Sequence, residues 1–224
     1  MDVHVVTAAN RHLYPSLLDQ FFRERHKIYA QELAWVPPSP DGLEMDQFDT
    51  LKAVYLIGVE DGKVITGSRF VPTDQPHMLS EVFPHLCTLG GGVIRDAAVA
   101  EWTRGFVVKD RREGLGVRLK AQFCYAVMDY CLGEGIERIG GIQEVYWLSL
   151  WQRLGWTVEV RGEPSLFGKD LWVPAYFDVT EEALAGAKRW AKADRSILIH
   201  QGPHQPFIPV ARNPYRAVRS SLAS

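Results

Sequence analysis

The alternation of apolar and polar positions divides the chain into short strand-like runs and longer helical ones. Val3 to Thr7 is β-rich. Beyond it, Leu17, Leu18, Phe21, Phe22, Ile28 and Tyr29 recur near the helical period of about 3.6 residues, with Arg23, Arg25 and Lys27 in the gaps. One face of this predicted helix is apolar and the other charged. Trp35 opens a Val-Pro-Pro run that ends it, because consecutive prolines supply no N–H and cannot continue a helix. Residues 36–50 then form a long loop carrying Asp41, Glu44, Asp46 and Asp49; loops of that length without structure of their own are usually functional or disordered. Ala53–Val59 and Lys63–Val71 read as a hairpin around Glu60-Asp61-Gly62. Residues 72–92 show no period. Ala98–Val108 is a further strand, and the basic stretch 109–116 leads into a long helix marked by Leu115, Leu119, Phe123, Val127 and Tyr130, which stops near Gly133 or Gly135. A strand at Arg138–Gln143, a helix at Tyr146–Leu154 and strands at Trp156–Val160 and Leu171–Asp178 complete the pattern. The order β-α-β-β-β-α-β-α-β-β predicts an α/β protein in which one mixed, mainly antiparallel sheet carries helices on both faces.

Composition narrows this picture. Of 224 residues, 46% are hydrophobic and 23% charged, enough apolar side chain for one large core and too much for disorder over most of the chain. No run approaches the roughly 18 apolar residues of a membrane span, and the start MDVHVVTAANRH lacks the cationic and apolar parts of a signal peptide, so a cytoplasmic location is expected. Cys87, Cys124 and Cys131 are an odd set without metal-ligand spacing, and so are the histidines, among them His4, His26 and His77. Reduced thiols and no metal are expected. A net charge of -2 speaks against a nucleic-acid binder. That near-neutrality is a cancellation. From Gly186 to Ser224, Lys188, Arg189, Lys192, Arg195, Arg212, Arg216 and Arg219 face only Asp194, a net +6, which leaves -8 on residues 1–185. With Pro203, Pro206, Pro209 and Pro214 preventing a continuous helix there, the expectation is an acidic domain over 1–185 and a basic extension over 186–224 without a fold of its own. Seven Trp, eight Tyr and ten Phe must largely fill the core, but a surplus of Trp often lines an apolar cleft.

Three constellations could carry chemistry. Arg111-Arg112-Glu-Gly114-Leu-Gly116 lies between a predicted strand and a predicted helix. Glycines there let backbone N–H groups approach a pyrophosphate at a helix N-terminus; the other reading is a solvated basic loop. Glu101-Trp102-Thr103-Arg104 lies on the strand feeding that loop. Residues three apart on a regular strand point to opposite faces, so Glu101 and Arg104 converge only through a bulge, for which Gly105 is suited; otherwise they are a surface pair. Asp46 and Asp49, with Arg25 upstream and Arg69 downstream, could hold a ligand bearing both an amine and a carboxylate, or belong to a solvated acidic loop. Glu44 could join this acidic cluster, but it is read as a solvated position in the loop.

The run Arg25-His-Lys-Ile-Tyr29, Trp35, Gly42-Leu-Glu-Met-Asp46-Gln-Phe48-Asp49, Val54-Tyr-Leu56, Gly67-Ser-Arg69, Val82-Phe83-Pro84 and Glu101-Trp102-Thr103-Arg104 resembles the acyl-homoserine lactone synthases, the LuxI-type autoinducer synthases of bacterial quorum sensing. The resemblance spans roughly residues 3 to 180. It implies a GNAT-like α/β/α sandwich and two substrates, S-adenosylmethionine and an acyl thioester, with no permanently bound cofactor. The amine of S-adenosylmethionine attacks the thioester, and its carboxylate then closes the lactone and releases methylthioadenosine. An α-amine has a pKa of about 8, so a base is required near neutral pH. By position that base is Glu101, acting with Arg104 and through a water. Arg25, Tyr29, Trp35, Asp46, Asp49, Arg69 and Phe83 fall at S-adenosylmethionine-binding positions. Trp102, Trp147 and Gly141 fall at the acyl pocket. Arg111, Arg112, Gly114 and Gly116 would bind the phosphates of the thioester carrier.

Departures from the family pattern shape the expected product. Tyr29 replaces a usual Phe, Trp102 a usually smaller residue, and Gly105 a bulky one. Large rings shorten an apolar pocket, so a short, branched or aromatic acyl group is expected. Gly140 and Gly141 stand where hydroxyl side chains recognise a 3-oxo group in some members, so none is expected here. The phosphate loop favours acyl-CoA as donor, while the basic patch of Lys109, Arg111, Arg112 and Arg118 would also suit acyl-carrier protein. Two other functions stay open at this point. One is a GNAT-type N-acyltransferase acting on another amine. The other is a non-catalytic acyl-thioester sensor.

Overall fold

The structure, a computed structural model, describes residues 1–113 and 116–209. Strand β1 (Asp2–Val6) leads into α1 (Pro15–Arg25), whose path continues through a π-helical turn at His26–Glu32. Pro15 sits at the first turn of α1, where its missing N–H has no partner to lose. The predicted hairpin forms as β2 (Val54–Glu60) and β3 (Lys63–Pro72). The stretch without a period holds a helical turn, α2 (Met78–Glu81), and a 3₁₀ turn at Pro84–Leu86. The remaining elements are β4 (Val99–Val107), α3 (Gly116–Glu134), β5 (Arg138–Glu144), α4 (Val145–Arg153), β6 (Val158–Val160), β7 (Ser165–Phe167), β8 (Asp170–Asp178), α5 (Glu181–Ala191) and β9 (Leu198–Ile199).

The sheet order is β6-β8-β5-β4-β3-β2-β1-β9, with β7 hydrogen-bonded to β8. The β4–β5 and β1–β9 pairs are parallel and the other neighbours antiparallel, which is the mixed, mainly antiparallel sheet expected. One face buries Leu56, Phe70, Ala100, Ile139 and Phe177 under α3, α4 and α5. The other packs Tyr55, Ile57, Ile65 and Phe106 against Phe21 and Phe22 of α1. Farther along that second face, Val99 and Tyr176 lie under Leu79 of α2. Helices on both faces make an α/β/α sandwich.

The division expected after residue 185 falls inside α5. Thr180 caps this helix, its Oγ1 accepting from the Ala183 N–H at 3.1 Å, and Lys188 and Arg189 complement the dipole in its last turn. Beyond it β9 pairs with β1, and Phe207 and Ile208 are buried in the main core. Glu134 of α3 accepts from the Phe207 N–H at 2.9 Å and pairs with His204 at 2.7 Å. Residues 186–208 therefore complete the sheet and the core. Arg212, Pro214, Arg216 and Arg219 lie outside the described residues.

Gly186 shows how closely α5 sits. A Cβ built there would lie 1.8 Å from the Leu154 carbonyl oxygen, a backbone atom that cannot turn aside. Gly186→Ala is expected to destabilise the protein by about 1–3 kcal/mol, the usual cost of overpacking. Thermal denaturation of the variant, read as a lowered Tm, checks this.

Candidate active site

The acidic loop folds back onto the sheet because three buried or nearly buried arginines meet its acids there. Arg25, at the end of α1, donates from both Nη atoms to Asp49 at 2.8 and 2.9 Å and from Nε to Glu44 at 2.5 Å. Arg69, on β3, donates to Asp46 at 2.5 and 3.1 Å and lies 3.0 Å from Asp49. Arg104, on β4, reaches Glu44 at 3.0 Å and Asp46 at 2.9 Å. Tyr55 donates to Asp49 at 3.0 Å, and the Asp46 N–H does so at 2.8 Å. Three guanidiniums thus interleave with three carboxylates. Burial alone would raise the Asp49 pKa, but Arg25 and Arg69 overcome it and hold this carboxyl well below the usual range. Burial likewise opposes the charge on Arg25, and Asp49 and Glu44 outweigh it, raising its pKa.

Glu44 corrects the sequence reading. It is buried, and it bridges Arg25 and Arg104. The signal was present as alternation. Glu44 and Phe48 are buried, while Met45 and Gln47 between them are exposed, and a turn closed by the Asp49 N–H on the Asp46 carbonyl at 3.0 Å brings Asp49 inward as well.

The bulge on β4 exists, and it is centred on Arg104. Gly67 pairs with Phe106 and Arg69 with Thr103, so Ser68 faces both Arg104 and Gly105. Arg104 has φ 54°, the left-handed region, which costs a non-glycine residue of the order of 1–3 kcal/mol. Its ion pairs with Glu44 and Asp46 and its position 5.2 Å over the Tyr29 ring offset that cost. Tyr29 secures the same bulge by donating to the Gly105 carbonyl at 2.8 Å. Burial pushes the Tyr29 phenol up to about 12, so it remains a donor.

Glu101 is fully buried on the α2 side of the sheet. Its two oxygens accept from the Met78 and Leu79 N–H groups at 2.8 and 2.7 Å. Burial raises its pKa, opposed by His77, those two N–H groups and Arg69. The β4–β5 pairing runs Val99–Arg138, Ala100–Ile139 and Glu101–Gly140 and ends there, so the two strands cease to be paired beside this carboxylate. Sequence reasoning left two neighbours unassigned. The Nδ1 of His77 lies 2.8 Å from the Gln75 carbonyl, while its buried Nε2 has no hydrogen-bond partner. Tyr176, in the same sheet row, lays its ring over Gly140, where a Cβ would lie 2.7 Å from Cδ1.

The remaining sequence-derived residues divide around this centre. Trp102 points to the opposite face, 5.9 Å from Trp151, and Trp147 stacks on Trp151 at 5.5 Å. Gly141 does not join them; a Cβ there would be 3.2 Å from the Trp102 carbonyl oxygen, 3.5 Å from Glu101 Cγ and 3.8 Å from Thr103 Cγ2, which places this position on the Glu101 face. Trp35 contacts Tyr29 at 5.7 Å. The ring contacts of Phe83 are with His85 and Phe167, away from the charged cluster. Arg111 pairs with Glu60 at 2.6 Å and Arg112 with Glu32, all four half-exposed. Gly116 opens α3, and Gly114 lies outside the described residues. Among the described residues no group of His, Cys, Asp and Glu could hold a metal ion.

Residues 10–186 match the autoinducer synthase family. The chain belongs to that family. As an autoinducer synthase it is an acyltransferase that makes an acyl-homoserine lactone. It is 39% identical over 183 residues to the isovaleryl-homoserine lactone synthase of Bradyrhizobium diazoefficiens, covering 81% of this chain and 82% of that one. Its fold matches BjaI, a CoA-dependent acyl-homoserine lactone synthase solved with SAM and isopentyl-CoA, with a TM-score of 0.86 and 37% identity over 96% of this chain and 99% of that one. MesI, another CoA-dependent synthase, matches with a TM-score of 0.80 and 34% identity over 88% and 98%. The readings as an N-acyltransferase for another amine and as a sensor are thereby set aside. No helix among the described residues is long and apolar enough to cross a membrane.

Proposed function

We propose that this synthase joins a short, branched acyl group from acyl-CoA to S-adenosylmethionine, with Glu101 as the base. The observation that carries the reading is the side-by-side placement of two sites. A charge-balanced Arg–acid cluster suits the amine and carboxylate of an amino acid, and a buried carboxylate stands where the β4–β5 pairing ends. The amine nitrogen loses a proton toward Glu101 through a water and attacks the thioester carbon, and the CoA thiolate leaves. The carboxylate of the acylated molecule then attacks Cγ, the Cγ–S bond breaks, and the sulfonium sulfur leaves with the electron pair as methylthioadenosine. Asp46 has the exposed oxygen of the cluster, with 20% of its side chain accessible against 1% for Asp49. We therefore assign the amine contact to Asp46 and the ordering of Arg25 and Arg69 to Asp49. The Trp102, Trp147 and Trp151 rings bound the acyl end, where their bulk disfavours a long straight chain.

Acyl-CoA is preferred to acyl-carrier protein as donor on two grounds: the basic, glycine-containing sequence of residues 111–116 and the CoA dependence of BjaI and MesI. Arg111 and Arg112 would exchange their acidic partners for phosphate at small cost, since exposed pairs contribute only about 0–1 kcal/mol. The purified protein, given S-adenosylmethionine with isovaleryl-CoA, isovaleryl-carrier protein and a CoA ester of about ten carbons or more, tests all of this. We expect methylthioadenosine release and, by mass spectrometry, isovaleryl-homoserine lactone, with kcat/KM highest for the branched CoA ester. A large preference for the carrier protein or for the long chain would overturn the assignment.

A further inference from the structure

The charged cluster continues outward as a line of rings that ends on a residue no motif marked. The Arg104 guanidinium lies over Tyr29, the Tyr29 ring is 5.7 Å from Trp35, and the Trp35 ring is 5.1 Å from Trp172. Trp172 is on β8, beside Glu144 of β5, so this last contact joins the loop after α1 to the strand on the far side of β5. Trp35 is held there by its own backbone, its N–H donating to the Tyr29 carbonyl at 2.9 Å after the left-handed Ala34. Even so, 51% of Trp35 is exposed. The Trp35 and Trp172 planes are 78° apart, edge to face, so the two indoles form a corner with apolar surface left open to solvent.

A ligand whose amino-acid head sits among Arg69, Asp46 and Arg104 carries its other end outward along this line. In S-adenosylmethionine that end is a flat purine. Purines gain from stacking on an aromatic face irrespective of base-specific hydrogen bonds, and a corner offers a face from one ring and an edge from the other. We infer that Trp172 is a substrate-positioning residue that, with Trp35, forms the purine wall of the S-adenosylmethionine site. The inference rests on the placement of the amino-acid head proposed above. The competing occupant of the corner is the adenine of CoA.

The test splits the ligand. Isothermal titration with methylthioadenosine reads the purine half alone, and titration with S-adenosylmethionine reads both halves. Trp172→Ala is expected to weaken both by about tenfold, to leave the KM for acyl-CoA unchanged and to change kcat by no more than about twofold. Trp172→Phe should restore most of the affinity. The quenching of tryptophan fluorescence by methylthioadenosine should shrink in Trp172→Phe, which a merely structural role would not cause. Unchanged methylthioadenosine affinity in Trp172→Ala, or a loss confined to acyl-CoA, overturns the inference. Asp46→Asn separates the underlying reading. It should weaken S-adenosylmethionine and spare methylthioadenosine, and if S-adenosylmethionine is unaffected the head placement fails and the purine wall fails with it.

Discussion

Glu101→Gln is expected to lower kcat by about 10²–10⁴-fold, the usual contribution of a positioned general base, while leaving S-adenosylmethionine bound. Among the described residues the carboxylate accepts hydrogen bonds from the Met78 and Leu79 N–H groups alone, at 2.8 and 2.7 Å, and forms no ion pair with the arginines of the cluster. Glutamine has the same shape and keeps one of the two acceptor oxygens, so the variant loses basicity before it loses structure. The pH profile adds a second readout with a definite sign. Burial lifts the Glu101 pKa above its ordinary value, and a base works only when ionised. The kcat/KM of the wild type should therefore fall with decreasing pH at a limb lying above the ordinary glutamate value of about 4.3. Burial draws that limb up and His77 and Arg69 draw it down, and the Tyr176 and Cys87 groups also lie within the field of this carboxylate. The residual activity of Glu101→Gln should lack this limb. A variant that keeps full turnover, or an unaltered acid limb, would refute the assignment of the base.

The parts of this site legible in the sequence are those where a residue's chemistry dictates its surroundings. Arg25, Arg69, Asp46 and Asp49 stand out as candidates for one site, with a solvated acidic loop as the other reading, and Glu44 is missed; once buried, such charges require one another. The bulge was legible too, because Glu101 and Arg104 could meet one site only if the strand gained a residue; the pairing of Ser68 with two partners supplies it. The left-handed residue is nonetheless Arg104 rather than Gly105, since the ion pairs of Arg104 hold a conformation that propensity alone would give to glycine. Helix α5 escaped hydrophobic periodicity because its buried face is Ala183, Gly186, Ala187 and Ala191, small residues that read as neutral. Trp172 and Tyr176 escaped for another reason. Both look like ordinary strand aromatics, and only the sheet order brings β8 beside β5, which puts Tyr176 in the row of Glu101 and Trp172 beside Glu144. Long-range neighbours of this kind are set by topology, and a local pattern does not contain them.

Asp49→Asn is expected to destabilise the protein by about 3–5 kcal/mol at pH 7, the cost of breaking a buried ion pair from one side. Asp49 is the hub of the cluster, accepting from Arg25 twice, from Tyr55 and from the Asp46 N–H, with Arg69 3.0 Å away. Asparagine has one acceptor oxygen and no charge, so Arg25, with no exposed surface, would be left with Glu44 alone. The pH dependence follows from the depressed pKa of Asp49. A carboxyl lowered in the folded state contributes stability that is complete above its unfolded value of about 3.9 and is lost as pH falls toward the folded value. Urea denaturation should therefore show a constant gap between wild type and variant from pH 7 down to about 4, and a narrowing gap below that. Asp46→Asn is the matched control. Its side chain is 20% accessible, so the same change should cost less stability and more affinity for S-adenosylmethionine. Equal stability losses in the two variants would show that the cluster has no hub. A gap that widened on acidification would mean that Asp49 is not held ionised by its arginines.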